Sequence, residues 1–297
     1  MVRLLSVLVC GVLASCATPR GAVTNGAGPE AAPWIPAMEP PQAPVVPDLI
    51  QPAILPAGAA WSMSGSPVVT RLVSGAELVE FDVTKEGRRI GMQVVLFDQT
   101  RCDLRVVDQS GGDWAGAGAI RGAMRSVNAV AGVNGGFFTP EFEAMGLVIA
   151  DGAGSGTFQN SGLVSGAVAT GAGGPLLLWN SEYRSASEFS QFLQAGPRLV
   201  NRGEVVSGLS RGKTATRTFV ATDGGSRWVV GLAKSPSLAE LAEILVSPGL
   251  LPDLRVWRAL NLDGGRSSSL WVRRENGAEL SWTGWSTVRN FLAIVPR

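Results

Sequence analysis

Residues 258–271 have the sequence Arg-Ala-Leu-Asn-Leu-Asp-Gly-Gly-Arg-Ser-Ser-Ser-Leu-Trp, in which two apolar runs flank a polar centre rich in glycine. This pattern predicts a strand that ends in a tight turn, with a second strand leaving it. The paired glycines, Gly264 and Gly265, allow positive φ and a close approach of the main chain to a ligand. Successive N–H groups in such a turn can form an anion-binding nest. We therefore interpret the stretch as part of a ligand site. The alternative is a hairpin turn whose Asp and Ser side chains bind only local backbone.

A second cluster of the same construction occupies residues 134–138, which are Asn-Gly-Gly-Phe-Phe. Apolar residues with helical spacing run from Gly122 to Ala131 and lead into it. The cluster is therefore expected at the junction between a helix and a strand, or between a strand and a loop. Two clusters built alike favour a functional interpretation over an incidental turn.

These clusters belong to a set of four motifs whose order resembles that of the phosphodiester glycosidase family, over roughly residues 60–297. The motifs are Ala131-Gly-Val-Asn-Gly-Gly-Phe-Phe138, Gln194-Ala-Gly-Pro-Arg-Leu-Val200, Arg217-Thr-Phe-Val-Ala-Thr-Asp-Gly224 and Leu260-Asn-Leu-Asp-Gly-Gly-Arg-Ser-Ser268. A single Gly-Gly motif would be a weak signal, whereas four in this order are specific. Arg266 departs from the family pattern, which often has glycine at that position.

The resemblance implies a hydrolase that cleaves the sugar C1–O bond of glycosyl 1-phosphodiesters, similar to those of N-acetylglucosamine, in cell-envelope glycans or glycolipids. It implies that the Asp263 carboxylate supports positive charge on the sugar ring, while Arg217 and Arg198 bind phosphate. Asn134 and Asn261 would hold sugar hydroxyls or orient water. The expected site comprises catalytic Asp263, Arg217 and Asn134, and substrate-binding Gly135, Gly136, Arg198, Asn261, Gly264, Gly265, Ser267 and Ser268.

The sequence contains no histidine. This excludes a Ser-His-Asp triad, a Cys-His pair and histidine metal ligands. A phosphate leaving group is already acidic and needs less protonation than a sugar alcohol, so the missing imidazole is no obstacle to glycosidase chemistry. We expect no cofactor and no metal ion, because the sequence shows no clustered set of Asp and Glu residues.

Two other functions stay open from the residues alone. One is a catalytically silent envelope lipoprotein that binds polysaccharide and tolerates loss of Asp263. The other is a phosphodiesterase that attacks phosphorus, which usually requires a metal held by several carboxylates. The formal net charge of +1 gives no basic field for nucleic acid. The expected partners are a carbohydrate phosphodiester and a membrane, the latter through a lipid anchor, while the oligomeric state is left undetermined.

The N-terminus predicts export. Arg3 precedes an apolar run from Leu4 to Val12, which is too short to span a bilayer and is typical of a signal peptide. Residues 13–16, Leu-Ala-Ser-Cys, resemble a bacterial lipobox, and an ordinary signal peptide with an incidental cysteine is the alternative. The expected organisation is a signal peptide at 1–15, a lipidated Cys16 with a Pro/Ala/Gly-rich tether at 16–57, and a glycosidase-like domain at 58–297. Such a lipoprotein is expected at the outer membrane, facing the periplasm.

The remaining pattern predicts an α+β fold, with a mixed β-sheet that has several hairpins and is flanked by a few helices. Turn residues at 223–226 and 276–277 predict hairpins. Capping-box spacing predicts one helix over residues 186–194, after Ser185, and another after Ser237. Three tryptophans near the central stretch are candidates for stacking on a sugar, with core packing as the alternative: Trp271, Trp282 and Trp285.

Overall fold

The computed structural model describes residues 60–109 and 113–297. The signal peptide, Cys16 and the tether predicted before residue 58 lie outside these residues. Among the described residues, no helix is long and apolar enough to cross a bilayer. The described chain begins with strands β1 (Ser62–Arg71), β2 (Glu77–Lys85), β3 (Arg88–Asp98) and β4 (Cys102–Asp108), followed by helix α1 (Ala119–Ser126) and β5 (Ala131–Asn134).

The middle of the chain is formed almost entirely of short strands. They are β6 (Val148–Ala150), β7 (Ala153–Ser155), β8 (Gly166–Gly171), β9 (Gly174–Trp179), β10 (Gln191–Ala195), β11 (Arg198–Asn201) and β12 (Glu204–Val205). The last part contains β13 (Arg217–Thr222), β14 (Arg227–Ala233), α2 (Leu238–Val246), β15 (Arg258–Asn261), β16 (Leu270–Arg273), β17 (Glu279–Trp282) and β18 (Asn290–Pro296). Both predicted hairpins are confirmed, as β13–β14 and β16–β17.

The strands form three sheets. An eight-stranded sheet has the order β1-β2-β3-β14-β13-β15-β11-β12, and two five-stranded sheets have the orders β7-β6-β10-β8-β9 and β17-β16-β5-β18-β4. Within the described ranges, every pairing between these strands is antiparallel. The α+β prediction therefore holds in outline, but strands dominate, and antiparallel ladders replace the mixed sheet that was expected.

The helix predicted over residues 186–194 is wrong. Residues Ala186–Glu188 form a single 3-10 turn, and the Ser185 hydroxyl accepts a hydrogen bond from the Ser187 N–H. Strand β10 then runs between β6 and β8. Its side chains Phe192 and Leu193 are buried in different apolar clusters. Because both faces of residues 191–195 are buried, an extended strand accommodates their side chains better than a helix with one apolar stripe.

Four apolar clusters hold the sheets and helices together, the smallest of which surrounds Phe192 on β10. The largest gathers side chains from all three sheets, including Val95, Val168 and Leu292. A second lies where α2 packs on the other face of the eight-stranded sheet, and a third lies where α1 packs on β5 and its neighbours. Helix α2 has the predicted capping box, with Ser237 and Glu240 bonding each other's backbone N–H. Helix α1 ends at Ser126 rather than extending to residue 131.

Candidate active site

The two glycine clusters meet in space. One follows β15, a central strand of the eight-stranded sheet, and the other follows β5, a central strand of a five-stranded sheet. A main-chain hydrogen bond of 2.9 Å from Asp263 N–H to the Gly135 carbonyl joins them directly. The ends of two different sheets therefore build one site, as the similar construction of the clusters suggested.

Asn134 fixes this junction. Its side chain is fully buried and its Nδ2 donates to the Asp263 carbonyl at 2.7 Å. Its Oδ1 accepts from Thr218 Oγ1 at 2.8 Å and from the Ser269 N–H at 2.9 Å. Since both ends of the carboxamide are engaged, Asn134 serves here as the residue that positions the Asp263 turn, and a direct contact with a sugar stays a prediction.

The glycine N–H groups do not form the free anion nest that the sequence suggested. Gly135 N–H donates to the Asn290 carbonyl at 2.8 Å, and Gly136 N–H donates to Asn290 Oδ1 at 2.7 Å. Gly264 N–H donates to Asp263 Oδ1 at 2.9 Å, and Gly265 N–H donates to the Thr216 carbonyl at 2.7 Å. All four donors are satisfied within the protein, so phosphate recognition requires other groups.

The glycines are instead required by close contacts. A Cβ on Gly135 would collide with Asn290 Oδ1, and one on Gly136 would lie 2.7 Å from the Gln194 carbonyl of β10. Gly265 has φ of +63°, in the left-handed region that favours glycine. The two turns can therefore pack against their neighbours only without side chains.

Asp263 is a half-buried carboxyl group beside this junction. Burial raises its pKa, and this outweighs the hydrogen bonds from the Ser267 hydroxyl and the Gly264 N–H, which act in the opposite direction. Among the described residues, no Arg or Lys forms an ion pair with it. An ionised Asp263 would therefore be a desolvated negative charge, ready to interact with a developing cation.

Arg217 provides the complementary charge. A Cβ on Gly264 would lie 3.7 Å from Arg217 Cδ and 3.8 Å from its Nη1, so the side chain passes along the turn. Its guanidinium donates to the carbonyls of Lys213 at 2.8 Å and Pro236 at 3.4 Å. Partial burial lowers its pKa, and within the described chain no carboxylate pairs with it. A partly desolvated guanidinium without a counter-ion is suited to an anionic ligand.

Asn261 contributes an unused acceptor. Its Nδ2 donates to the carbonyls of Gly196 at 2.8 Å and Leu262 at 2.6 Å, which fixes the orientation of the carboxamide. Its Oδ1 is buried and has no hydrogen-bond partner among the described residues. Buried polar atoms are rarely left in this state. A water molecule enclosed with this oxygen, or a ligand that displaces the residues covering it, would supply the missing donor.

Two other predicted residues have local partners. The Arg198 guanidinium lies over the Trp179 ring, 5.5 Å from its centroid, and this contact directs it to β9. The Ser268 hydroxyl donates to the Thr216 carbonyl at 3.2 Å. The turn thus lies beside Arg217 and carries Asp263 and the paired glycines, with Asn261 and Ser267 next to them in the chain, whereas the Arg198 side chain is directed to Trp179.

Asn290 is a site residue that the sequence reasoning missed. It is fully buried at the start of β18, and its carbonyl and Oδ1 accept the N–H groups of Gly135 and Gly136. Its Nδ2 is buried without a partner among the described residues. An asparagine that begins a strand carries no signal of such a role, which depends on the pairing of β18 with β5.

In the described part of the chain, metal-binding clusters and surface cavities add no residue to the site. No cluster of His, Cys, Asp and Glu within the described ranges could hold a metal ion. A surface cavity of about 510 Å³ lies elsewhere, lined by residues that include Arg71, Glu77, Arg101 and Glu275, and it shares none with the glycine turns. Its charges have both signs, so it defines no particular ligand.

In this β-rich domain the joined glycine turns thus carry a half-buried carboxyl group and lie beside an arginine that has no carboxylate partner in the part of the chain that the structure describes, an arrangement suited to an anionic ligand. Residues 127–295 match the model of the phosphodiester glycosidase family, so the chain belongs to that family. Comparison with curated proteins yields no match.

Several solved structures resemble the chain, among them the following two. The catalytic domain of zebrafish N-acetylglucosamine-1-phosphodiester α-N-acetylglucosaminidase, auto-inhibited by its pro-peptide, has a TM-score of 0.56 at 17% identity and covers 80% of this chain and 89% of its own. A hypothetical protein from Synechocystis has a TM-score of 0.54 at 16% identity and covers 79% of this chain and 64% of its own. At such identities the two structures establish the fold alone.

Proposed function

We propose that the protein hydrolyses the sugar C1–O bond of glycosyl 1-phosphodiesters, similar to those of N-acetylglucosamine, in glycans or glycolipids of the cell envelope. The observation that carries this proposal is the juxtaposition of Arg217 with the turn that bears Asp263. A guanidinium without a carboxylate partner among the described residues and a half-buried carboxyl group match the two charges of the reaction. Family membership and the enzymatic activity in the zebrafish protein's name support the same reaction class.

The chemistry follows from charge. As the C1–O bond breaks, its electron pair goes to the phosphate oxygen and positive charge develops on the sugar ring. The Arg217 guanidinium stabilises the departing phosphate, and the ionised Asp263 carboxylate stabilises the ring. Water then adds to C1 and releases a proton, which yields a free sugar and a phosphomonoester. The free acceptor of Asn261 would receive a hydrogen bond from the substrate or the water.

Isotope labelling distinguishes cleavage at carbon from cleavage at phosphorus. We expect that hydrolysis of N-acetylglucosamine 1-(methyl phosphate) in oxygen-18 water places the label in the sugar, because phosphate is a competent leaving group. The phosphomonoester keeps all its original oxygens. Mass spectrometry of both products measures this.

The other outcomes have distinct meanings. Label in the phosphomonoester would exclude the glycosidase and support a phosphodiesterase. Absence of turnover, with retained binding of the substrate in calorimetry, would support the silent polysaccharide-binding protein. The Asp263→Asn protein, run in parallel, reports any hydrolysis by a contaminant.

We also propose that the mature protein is an exported lipoprotein of the outer membrane facing the periplasm, anchored through Cys16 and tethered by residues 16–57. The lipobox-like residues 13–16 motivate this location. A Cys16→Ala protein is expected to lose incorporation of labelled fatty acid and to leave the membrane fraction. A Cys102→Ala protein is the matched control and should keep both properties. Continued labelling of the Cys16→Ala protein would refute the anchor.

A further inference from the structure

A loop after β17 is attached to the outside of the Asp263 turn. Trp285 N–H donates to the Arg266 carbonyl at 2.7 Å, and Ser286 N–H donates to the same carbonyl at 3.1 Å. Gly284 packs so closely that a Cβ would lie 2.6 Å from this oxygen and 3.0 Å from the Ser267 carbonyl. The loop and the turn therefore form one surface, which we call the rim (Arg266 and residues 283–287).

The rim presents an uncovered indole. Trp285 is 86% exposed, whereas Trp271 is fully buried and Trp282 is half-buried. Core packing thus accounts for Trp271 but not for Trp285. Its backbone is held by the hydrogen bond to the turn, so the ring is displayed from a fixed base at the border of the proposed site. A single exposed aromatic ring beside such a site is suited to stack on one sugar ring.

The rim also presents a second cation. Arg266 is exposed, and its guanidinium has neither an ion pair nor a hydrogen bond among the described residues. It lies two positions from Gly264, which contacts Arg217. The turn therefore has one half-buried arginine and one exposed arginine, and the backbone of Trp285 is bonded to the second.

We propose that the rim is a subsite for a second sugar-phosphate unit, so that the substrate is an anionic chain of sugar 1-phosphates rather than an isolated sugar phosphodiester. This inference rests on the proposed function, because Arg217 takes the phosphate that is cleaved. Trp285 stacks on the next sugar ring, and Arg266 binds the next phosphate with the planar fork that matches its oxygens.

Other ligands fit the rim less well. A neutral glycan would use the indole but leave Arg266 without a function. A lipid chain requires a contiguous apolar surface, whereas in the 263–297 part of the chain Trp285 is the only large apolar side chain that is exposed. Charge and ring together favour a sugar-phosphate chain.

The test compares two synthetic probes, N-acetylglucosamine 1-(methyl phosphate) and a trimer of N-acetylglucosamine 1-phosphate joined by phosphodiesters. Their dissociation constants are measured by calorimetry on the Asp263→Asn protein, so that hydrolysis does not interfere. The quantity of interest is the dissociation constant of the single unit divided by that of the trimer. We expect the trimer to bind about tenfold more tightly than the single unit, and Trp285→Ala or Arg266→Gly to bring the ratio close to one.

Control variants identify the cause. Arg266→Lys keeps the charge and should retain part of the ratio. The part of the ratio that comes from the charge at position 266 should fall more with added salt than the part that comes from Trp285. Val68→Ala removes another exposed apolar side chain, from β1, and should leave the ratio unchanged. Circular dichroism and melting temperature confirm that each variant is folded.

The outcomes separate this inference from the proposed function. A ratio near one in the Asp263→Asn protein, or a ratio unaffected by Trp285→Ala and Arg266→Gly, would refute the subsite while leaving hydrolysis of the single unit untouched. If instead the wild-type protein hydrolyses neither the single unit nor the trimer but the ratio behaves as expected, the rim is a glycan-binding surface and the proposed hydrolase is refuted.

Discussion

Replacing Asp263 with Asn is expected to lower kcat by about 10²–10⁴-fold while raising the melting temperature at pH 7. The activity falls because the amide cannot carry the negative charge that stabilises the sugar cation, and acid–base or charge-stabilising side chains contribute on this order. The shape and the contact with the Gly264 N–H are retained. Initial rates with N-acetylglucosamine 1-(methyl phosphate) and differential scanning calorimetry measure the two effects.

The sign of the stability change follows from the pKa of Asp263. Burial raises the pKa of this carboxyl group in the folded state, so the folded protein holds the proton more tightly than the unfolded chain. This contribution to stability is present below the unfolded pKa and is lost as pH rises through the folded pKa. A neutral amide does not lose this contribution when the pH rises. The Asp263→Asn protein should therefore melt at a higher temperature than the wild type at pH 7, and the difference should shrink in acid.

Asp223 offers a matched control for this prediction. It is also an aspartate in a glycine-containing turn, where Oδ1 accepts from the Gly225 N–H at 2.7 Å and the Arg227 N–H at 3.2 Å. Asp223→Asn should leave kcat within about twofold. Normal turnover by Asp263→Asn would remove this carboxylate from the mechanism. A lower melting temperature would show that its charge is stabilised by a partner.

Replacing Arg217 is expected to have the second largest effect. Arg217→Met should reduce kcat/KM by about 10²–10³-fold, the usual loss for a donor that stabilises charge in the transition state. Arg217→Lys should recover part of it, because the charge is kept but the planar fork that matches two phosphate oxygens is lost. Steady-state kinetics against the same substrate measure both.

A control for Arg217 uses another arginine that binds main-chain carbonyls. Arg184 donates to the carbonyls of Ser181 and Tyr183, in the segment between β9 and β10. Arg184→Lys should change kcat/KM by less than about twofold. An equal effect of Arg184→Lys and Arg217→Lys would mean that the loss arises from a general change in stability, and the phosphate role of Arg217 would be refuted.

Features governed by local chemistry were predictable from the sequence. The hairpins at residues 223–226 and 276–277 formed because turn residues bend the chain whatever surrounds them. The capping box at Ser237 formed because an apolar stripe follows it. The same spacing at Ser185 failed because the following residues pair with β6 and β8 and bury both faces in apolar clusters, which local sequence does not reveal.

The residues of the candidate site were predictable from the sequence, but their hydrogen-bond partners were not. The similarity of the two glycine clusters suggested a shared site, and the bond between Asp263 and Gly135 places them together. Whether a glycine N–H is free depends on partners distant in sequence, such as Asn290 and Thr216. The anion nest was therefore a reasonable hypothesis from the motif and became untenable only with the strand pairing in view.

The position of Asn290 has a consequence for the order of folding. This residue begins the final strand, yet it holds the glycine pair that follows β5, and β18 pairs with both β5 and β4. Until β18 pairs with β5, the Gly135–Gly136 turn lacks its two acceptors on Asn290, and the Asp263 N–H has no fixed Gly135 carbonyl to bind. Docking of β18 is therefore the folding step that completes the proposed site.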